Sequence, residues 1–162
     1  MHRMHSLISS GPLFGLLLLA HVQVAQAGAI ADMKVIAKSD SWELRQEQDS
    51  FSGKAECVIV EIGNYDVQIS KGFLFIVYKG RGGVRSYRYR IDDGQPSKTI
   101  LPSEVEQQIA TVVLKDRAFL NILNAKRLRV QTETYFDVKQ EDINLSGLRD
   151  LYSKMLVSCP DH

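Results

Sequence analysis

Histidine, net charge and long apolar segments are what most of this chain goes without. Of its four histidines, His2, His5 and His21 fall in the first 27 residues, which leaves only the terminal His162 for the rest. A Ser–His or Cys–His couple would have to recruit that last residue, and Ser52, Ser70 and Ser86 lack the Gly-x-Ser-x-Gly setting of an exposed nucleophile. Arg3 is the one charged side chain among the first 27. The remainder therefore balances 20 − 1 = 19 Lys+Arg against 19 Asp+Glu. A neutral balance gives no global attraction to nucleic acid or to an acidic membrane face. Beyond residue 27 no apolar run is long enough to span a bilayer. Gly80-Arg81-Gly82-Gly83 lacks the Gly-x-x-x-x-Gly-Lys pattern of a phosphate loop. Asp92-Asp93-Gly94 lacks the alternating carboxylates and distal Glu of a calcium loop and reads as a turn. No cofactor, metal site or catalytic residue is indicated.

What the chain does have begins with its first 27 residues. Arg3 supplies a positive start, residues 7–20 form an almost unbroken apolar run, and Ala25-Gln26-Ala27 offers the small-x-small pattern that signal peptidases cut after. Residues 1–27 are therefore expected to be a removed signal peptide and the product to be periplasmic or secreted. No Cys follows the apolar run, so the lipoprotein route is not indicated. Cutting after Ala27 leaves 162 − 27 = 135 residues, the size of one domain.

Both cysteines, Cys57 and Cys159, lie in that product, and in an oxidising compartment they are expected to pair. Closing so long a loop stabilises by roughly 4–5 kcal/mol on the chain-entropy account. The alternatives are a redox-active pair, for which the Cys-x-x-Cys spacing is missing, and a two-ligand metal site with no His nearby.

Residues 28–40 read as a flexible lead-in and 41–162 as a single β-rich domain. Trp42 and Leu44 alternate with polar neighbours as in a half-buried strand. Trp42, the lone tryptophan, is expected in the core, with an exposed recognition role as the alternative. Strands are also expected over 56–62, 65–69, 73–78, 84–91, 107–114, 126–134 and in the stretch 136–145. The glycines at 80–83 suggest that 73–78 and 84–91 form a hairpin. Helical spacing appears at Phe119, Leu120, Ile122 and Leu123 after an Asp116 cap. It returns at Leu148, Leu151, Tyr152, Met155 and Leu156 after a Ser146 cap. The expectation is a mainly β fold: an antiparallel β-sandwich or partly open barrel, with two short late helices and one disulfide.

The most distinctive local feature is the basic-aromatic stretch over 78–90. It contains Lys79, Arg81, Arg85, Arg88 and Arg90 interleaved with Tyr78, Tyr87 and Tyr89. Such interleaving occurs in single-strand nucleic-acid binders. In a strand, however, Tyr87, Tyr89 and Ile91 share one face while Ser86, Arg88 and Arg90 share the other, as in a buried aromatic face backed by a solvated one. Nucleic acid is not expected as a partner. The five cations form the candidate binding site for a protein or an envelope component.

The layout resembles the bacterial invasion-associated locus B family. The likeness is carried by Trp42, the turn at Asp49 and Phe51, and Cys57 in a strand. It continues through Arg90-Ile91-Asp92-Asp93-Gly94, then Phe119, Leu123 and Ala125-Lys126-Arg127-Leu128-Arg129-Val130. Leu145-Ser146-Gly147-Leu148 then opens a helix that ends at Cys159. The resemblance implies a periplasmic β-sandwich-like protein acting at the envelope and in host-cell interaction, with no catalytic residues. An alternative reading is a periplasmic inhibitor or immunity protein that plugs an enzyme with Arg81-Gly82-Gly83. A third is a hydrolase or transferase working through two close carboxylates in a pocket.

Overall fold

The computed structural model describes residues 27–160, so the expected signal peptide lies outside the described residues but for Ala27. In chain order the elements are α1 (Ala27–Asp32), β1 (Lys34–Ser39), β2 (Trp42–Gln48), β3 (Ala55–Glu61), β4 (Asn64–Ser70) and β5 (Phe73–Val77). Then come β6 (Val84–Ile91), α2 (Glu104–Gln108), β7 (Thr111–Lys115), α3 (Asp116–Ile122), β8 (Arg127–Thr134), β9 (Val138–Asn144) and α4 (Leu148–Ser158). The fold is mainly β and built from two antiparallel sheets that do not close into a barrel. The larger sheet has the order β1-β2-β3-β4-β5-β7 and the smaller β6-β8-β9.

Period-two alternation decides which side chains meet. Trp42, Leu44, Ile59, Val67, Ile69, Leu74, Ile76, Val112 and Leu114 point inward from the larger sheet and join Leu128, Val130 and Ile143 of the smaller one. The smaller sheet is only part of the second layer over β1–β3. There α4 completes the second layer, burying Leu148, Leu151 and Met155 on an amphipathic face. Trp42 is fully buried, and its indole Nε1 donates to the Asn144 carbonyl at 2.7 Å, so one residue fastens β2 to the end of β9. The helix also delivers Cys159 to Cys57, with their Cα atoms 6.0 Å apart across a sequence separation of 102.

Residues 28–40 are not a loose lead-in. They form most of α1 and all of β1, and a buried ion pair on the outer face of β2 accounts for this. Arg45 donates from Nη1 to the carbonyls of Ile30 (2.8 Å), Ala31 (2.7 Å) and Met33 (3.3 Å), closing the carboxyl end of α1. Its Nε bonds the buried Glu43 carboxylate at 2.7 Å, and its Nη2 reaches the Tyr65 hydroxyl at 2.8 Å. Ile30 then packs in a second cluster with Val58 and Val60, bordered by Met33 and Tyr65.

Other local expectations change as well. The strands 73–78 and 84–91 do not form a hairpin: β5 pairs with β4 and β7, whereas β6 pairs with β8. Gly80, Gly82 and Gly83, all at positive φ, carry the chain from one sheet to the other rather than back along its neighbour. The stretch 107–114 divides between α2 and β7. Ser103 caps α2 by a full capping box, and Ala110 at φ 50° turns the chain into the strand. Among the described residues the two expected late helices, α3 and α4, are joined by α1 and α2. Lys115 rather than Asp116 precedes α3, and Gly147 rather than Ser146 precedes α4. Gly147 has φ 77°, and a Cβ there would lie 1.7 Å from the Ser39 hydroxyl oxygen, so β1 and α4 meet at a position only glycine fits.

Candidate interaction surface

The basic-aromatic stretch divides by side-chain direction. Tyr78 and Tyr87 are core residues. Thr132 Oγ1 donates to the Tyr78 hydroxyl at 3.0 Å, and the Tyr87 hydroxyl donates to the Val113 carbonyl at 3.3 Å. Burial pushes both phenols up to about 12. Tyr89 packs half-buried against the same core. None of these rings is free as a stacking platform.

The five cations likewise do not converge on one spot. Lys79 and Arg81 lie in the inter-sheet connection and border a cleft of about 150 Å³ with Asn64, Asp66, Lys139 and Glu141. Arg81 pairs with Asp137 at 3.1 Å. Arg85 pairs with Glu133 at 3.1 Å while its guanidinium carbon lies 5.7 Å from the centroid of the Tyr135 ring. Arg88 and Arg90 stand on the outer face of the smaller sheet, with Arg88 Nε bonded to Gln131 at 2.6 Å. The Arg81-Gly82-Gly83 segment packs on one side against a neighbouring turn. It is roofed by the turn between β8 and β9, and a Cβ on Gly82 would lie 3.1 Å from both Phe136 and Tyr135.

That turn is the feature the sequence reading passed over. Tyr135 and Phe136 are 61% and 75% exposed, although both are large aromatics. Their backbone is fixed from within. Thr134 Oγ1 accepts from the amides of Phe136 (3.2 Å) and Asp137 (3.0 Å), and the Thr134 amide donates to the Asp137 carbonyl at 2.8 Å. The Thr134 hydroxyl, with Lys139 and Arg81, holds the Asp137 carboxyl below its ordinary value. The result is a turn braced by its own hydrogen bonds and carrying two bared rings, with Arg81 and Arg85 at its flanks. A Tyr-Phe pair just after a strand reads equally well as buried, which is why alternation alone gave no signal.

The cleft beside Arg81 holds the strongest acid–base feature. Glu141 is raised above its ordinary value by burial and by the charges of Glu61 and Asp66. Glu61 is raised by burial, against a hydrogen bond from Asn64 at 2.9 Å. Lys139, Lys79 and Arg81 surround this acidic region with positive charge. Among the described residues no group of three or more His, Cys, Asp or Glu is placed to hold a metal, and no helix is long and apolar enough to cross a membrane. No family model, curated protein or solved structure matches this chain.

Proposed function

We propose that this is an exported, non-enzymatic binding protein that engages a protein or envelope component, as the resemblance to the invasion-associated locus B family implies. The observation that carries the reading is the bared Tyr135–Phe136 pair on its glycine seat, with Arg81 and Arg85 at its flanks. Aromatic and arginine side chains dominate binding energetics at interfaces, and rings already held in place lose little freedom on association. Most of the surface of both rings stays in water in the isolated fold, and two such rings side by side favour a partner that covers them. The disulfide supports export, because such bridges persist outside the reducing cytosol.

Capture from envelope extract tests this. The protein bearing Tyr135→Ser and Phe136→Ser should lose a partner that the unaltered protein retains, with its melting temperature unchanged. A second variant with Lys79, Arg81 and Arg85 replaced by Ser, and Arg88 and Arg90 left in place, reports the share of the flanking cations. Undiminished capture by both variants removes this surface from consideration.

A further inference from the structure

Arg90 and Arg129 stand directly opposite each other on neighbouring strands of the smaller sheet. Like charges at such positions repel, so a paired carboxylate between them would be expected. None is there. Asp142 is the cross-strand neighbour of Arg129 on the other side, yet both its oxygens turn diagonally to Arg127, one of them accepting from Nε at 2.6 Å. Arg129 is left with the Asp92 carbonyl at 2.8 Å and a distant, fully exposed Asp93 carboxylate at 3.5 Å, both on Nη2. Its Nε is buried with no hydrogen-bond partner. Among the described residues the Arg90 side chain makes no ion pair or hydrogen bond, and that of Arg88 engages only Gln131. These three arginines, with Gln131 and Gln140, line an open concavity of about 360 Å³.

We infer that the outer face of the β6-β8-β9 sheet binds a compact, multiply charged oxyanion of the phosphate class between Arg90 and Arg129. Such a group relieves the cross-strand repulsion and offers acceptors for several guanidinium donors at once. Charge-assisted, multidentate contacts of this kind are the strong ones. Arg88 adds a third positive charge at the rim, and its bond to Gln131 fixes its approach. Asp142 and Glu141 of β9 also border the concavity; the bidentate Arg127–Asp142 pair keeps the first out of competition, and Glu141 also lines the cleft of Lys139 and Arg81. This site is separate from the Tyr135–Phe136 surface and stands or falls independently of it.

Titration of the ¹⁵N-labelled protein with inorganic phosphate at low ionic strength tests the inference. The Arg129 Nε–H resonance and the amides around Arg90 should shift saturably. Arg90→Gln and Arg129→Gln should each weaken binding about tenfold or more, whereas Arg117→Gln on α3 should bind as the unaltered protein does. Arg90 is not part of the core, so its variant remains informative even if Arg129→Gln fails to fold. Sedimentation with phosphatidylcholine vesicles, with and without phosphatidylglycerol, identifies the source. Arg90-dependent binding to the anionic vesicles that phosphate competes away assigns a lipid headgroup. Saturable phosphate shifts without vesicle binding assign a free, soluble phosphate group. Absence of a saturable shift, or equal affinity in Arg90→Gln, overturns the inference.

Discussion

Replacing Arg45 by Met puts the docking of α1 to a quantitative test. The substitution keeps most of the side-chain volume but removes every donor that faces the carbonyls of Ile30, Ala31 and Met33 and the Tyr65 hydroxyl. It also strands Glu43, which is 3% exposed and is left with only the largely solvated Lys38 ammonium at 3.3 Å. Removing one partner of a buried pair costs about 3–5 kcal/mol, chiefly because the other charge stays buried and uncompensated. For a domain of this size that is a fall in melting temperature of roughly 12–20 °C. Neutralising the stranded group reverses much of the loss, so the double variant Glu43→Gln/Arg45→Met should recover at least half of it. Urea unfolding of the parent, the two single variants and the double variant gives the coupling energy directly. Amide exchange at Met33, whose N–H bonds the Ile30 carbonyl, reports whether α1 detaches locally before the sheet unfolds. A loss below about 1 kcal/mol for Arg45→Met, or a double variant as unstable as the single, would refute the assignment of α1's anchor to this pair.

Two further outcomes follow from the same structure. Replacing Cys57 and Cys159 by Ser should lower stability by about 4–5 kcal/mol, as expected for releasing a loop of 102 residues, and the parent should show no free thiol on alkylation under denaturing, non-reducing conditions. Glu61 and Glu141 have folded-state values above the ordinary 4.5, so the stability they contribute is fully present below that pH and is lost as pH rises through their raised values. Glu141→Gln should therefore melt higher than the parent at pH 7 and show a flatter decline above pH 4.5. Asp137 and Asp142, held below 3.8, act in the opposite sense only in stronger acid. A parent and variant with identical melting profiles between pH 4.5 and 7 would rule out a desolvated Glu141.

Strand content was readable because alternation is local. Trp42 and Leu44, or Leu128 and Val130, declare an inward face whatever the partner strand. The two late helices and the disulfide followed from the same periodicity and from the small cysteine count. Pairing between sheets was not readable, since the glycines at 80–83 suit a tight hairpin and an inter-sheet crossing equally well. The order of residues 28–40 was hidden for another reason. Ala29, Ile30 and Ala31 carry little intrinsic signal, and their anchor is Arg45, fourteen to sixteen positions away. At the candidate surface the cations were visible but not their surroundings. Arg90 meets Arg129 only through strand register, and Asp142 chooses Arg127 by a diagonal that no spacing rule encodes. The exposed ring of Phe136 was missed because hydrophobicity marks it for burial, and only the turn built by Thr134 turns it out.

The Cys57–Cys159 bridge also sets how the molecule would respond to being pulled. Tension applied between residues 27 and 160 enters at Cys159, crosses directly into β3, and bypasses everything between the two sulfurs. Only α1, β1 and β2 lie on the loaded path. Their 57 − 27 = 30 residues can yield about 100 Å of extension at ~3.5 Å each. The remaining six strands after β3, both candidate surfaces and α4 sit in a closed ring whose backbone cannot be extended by tension while the bridge is intact. Reduction would free roughly 360 Å more, from 102 positions at the same rise. Both candidate surfaces thus lie in the mechanically sheltered part of the chain.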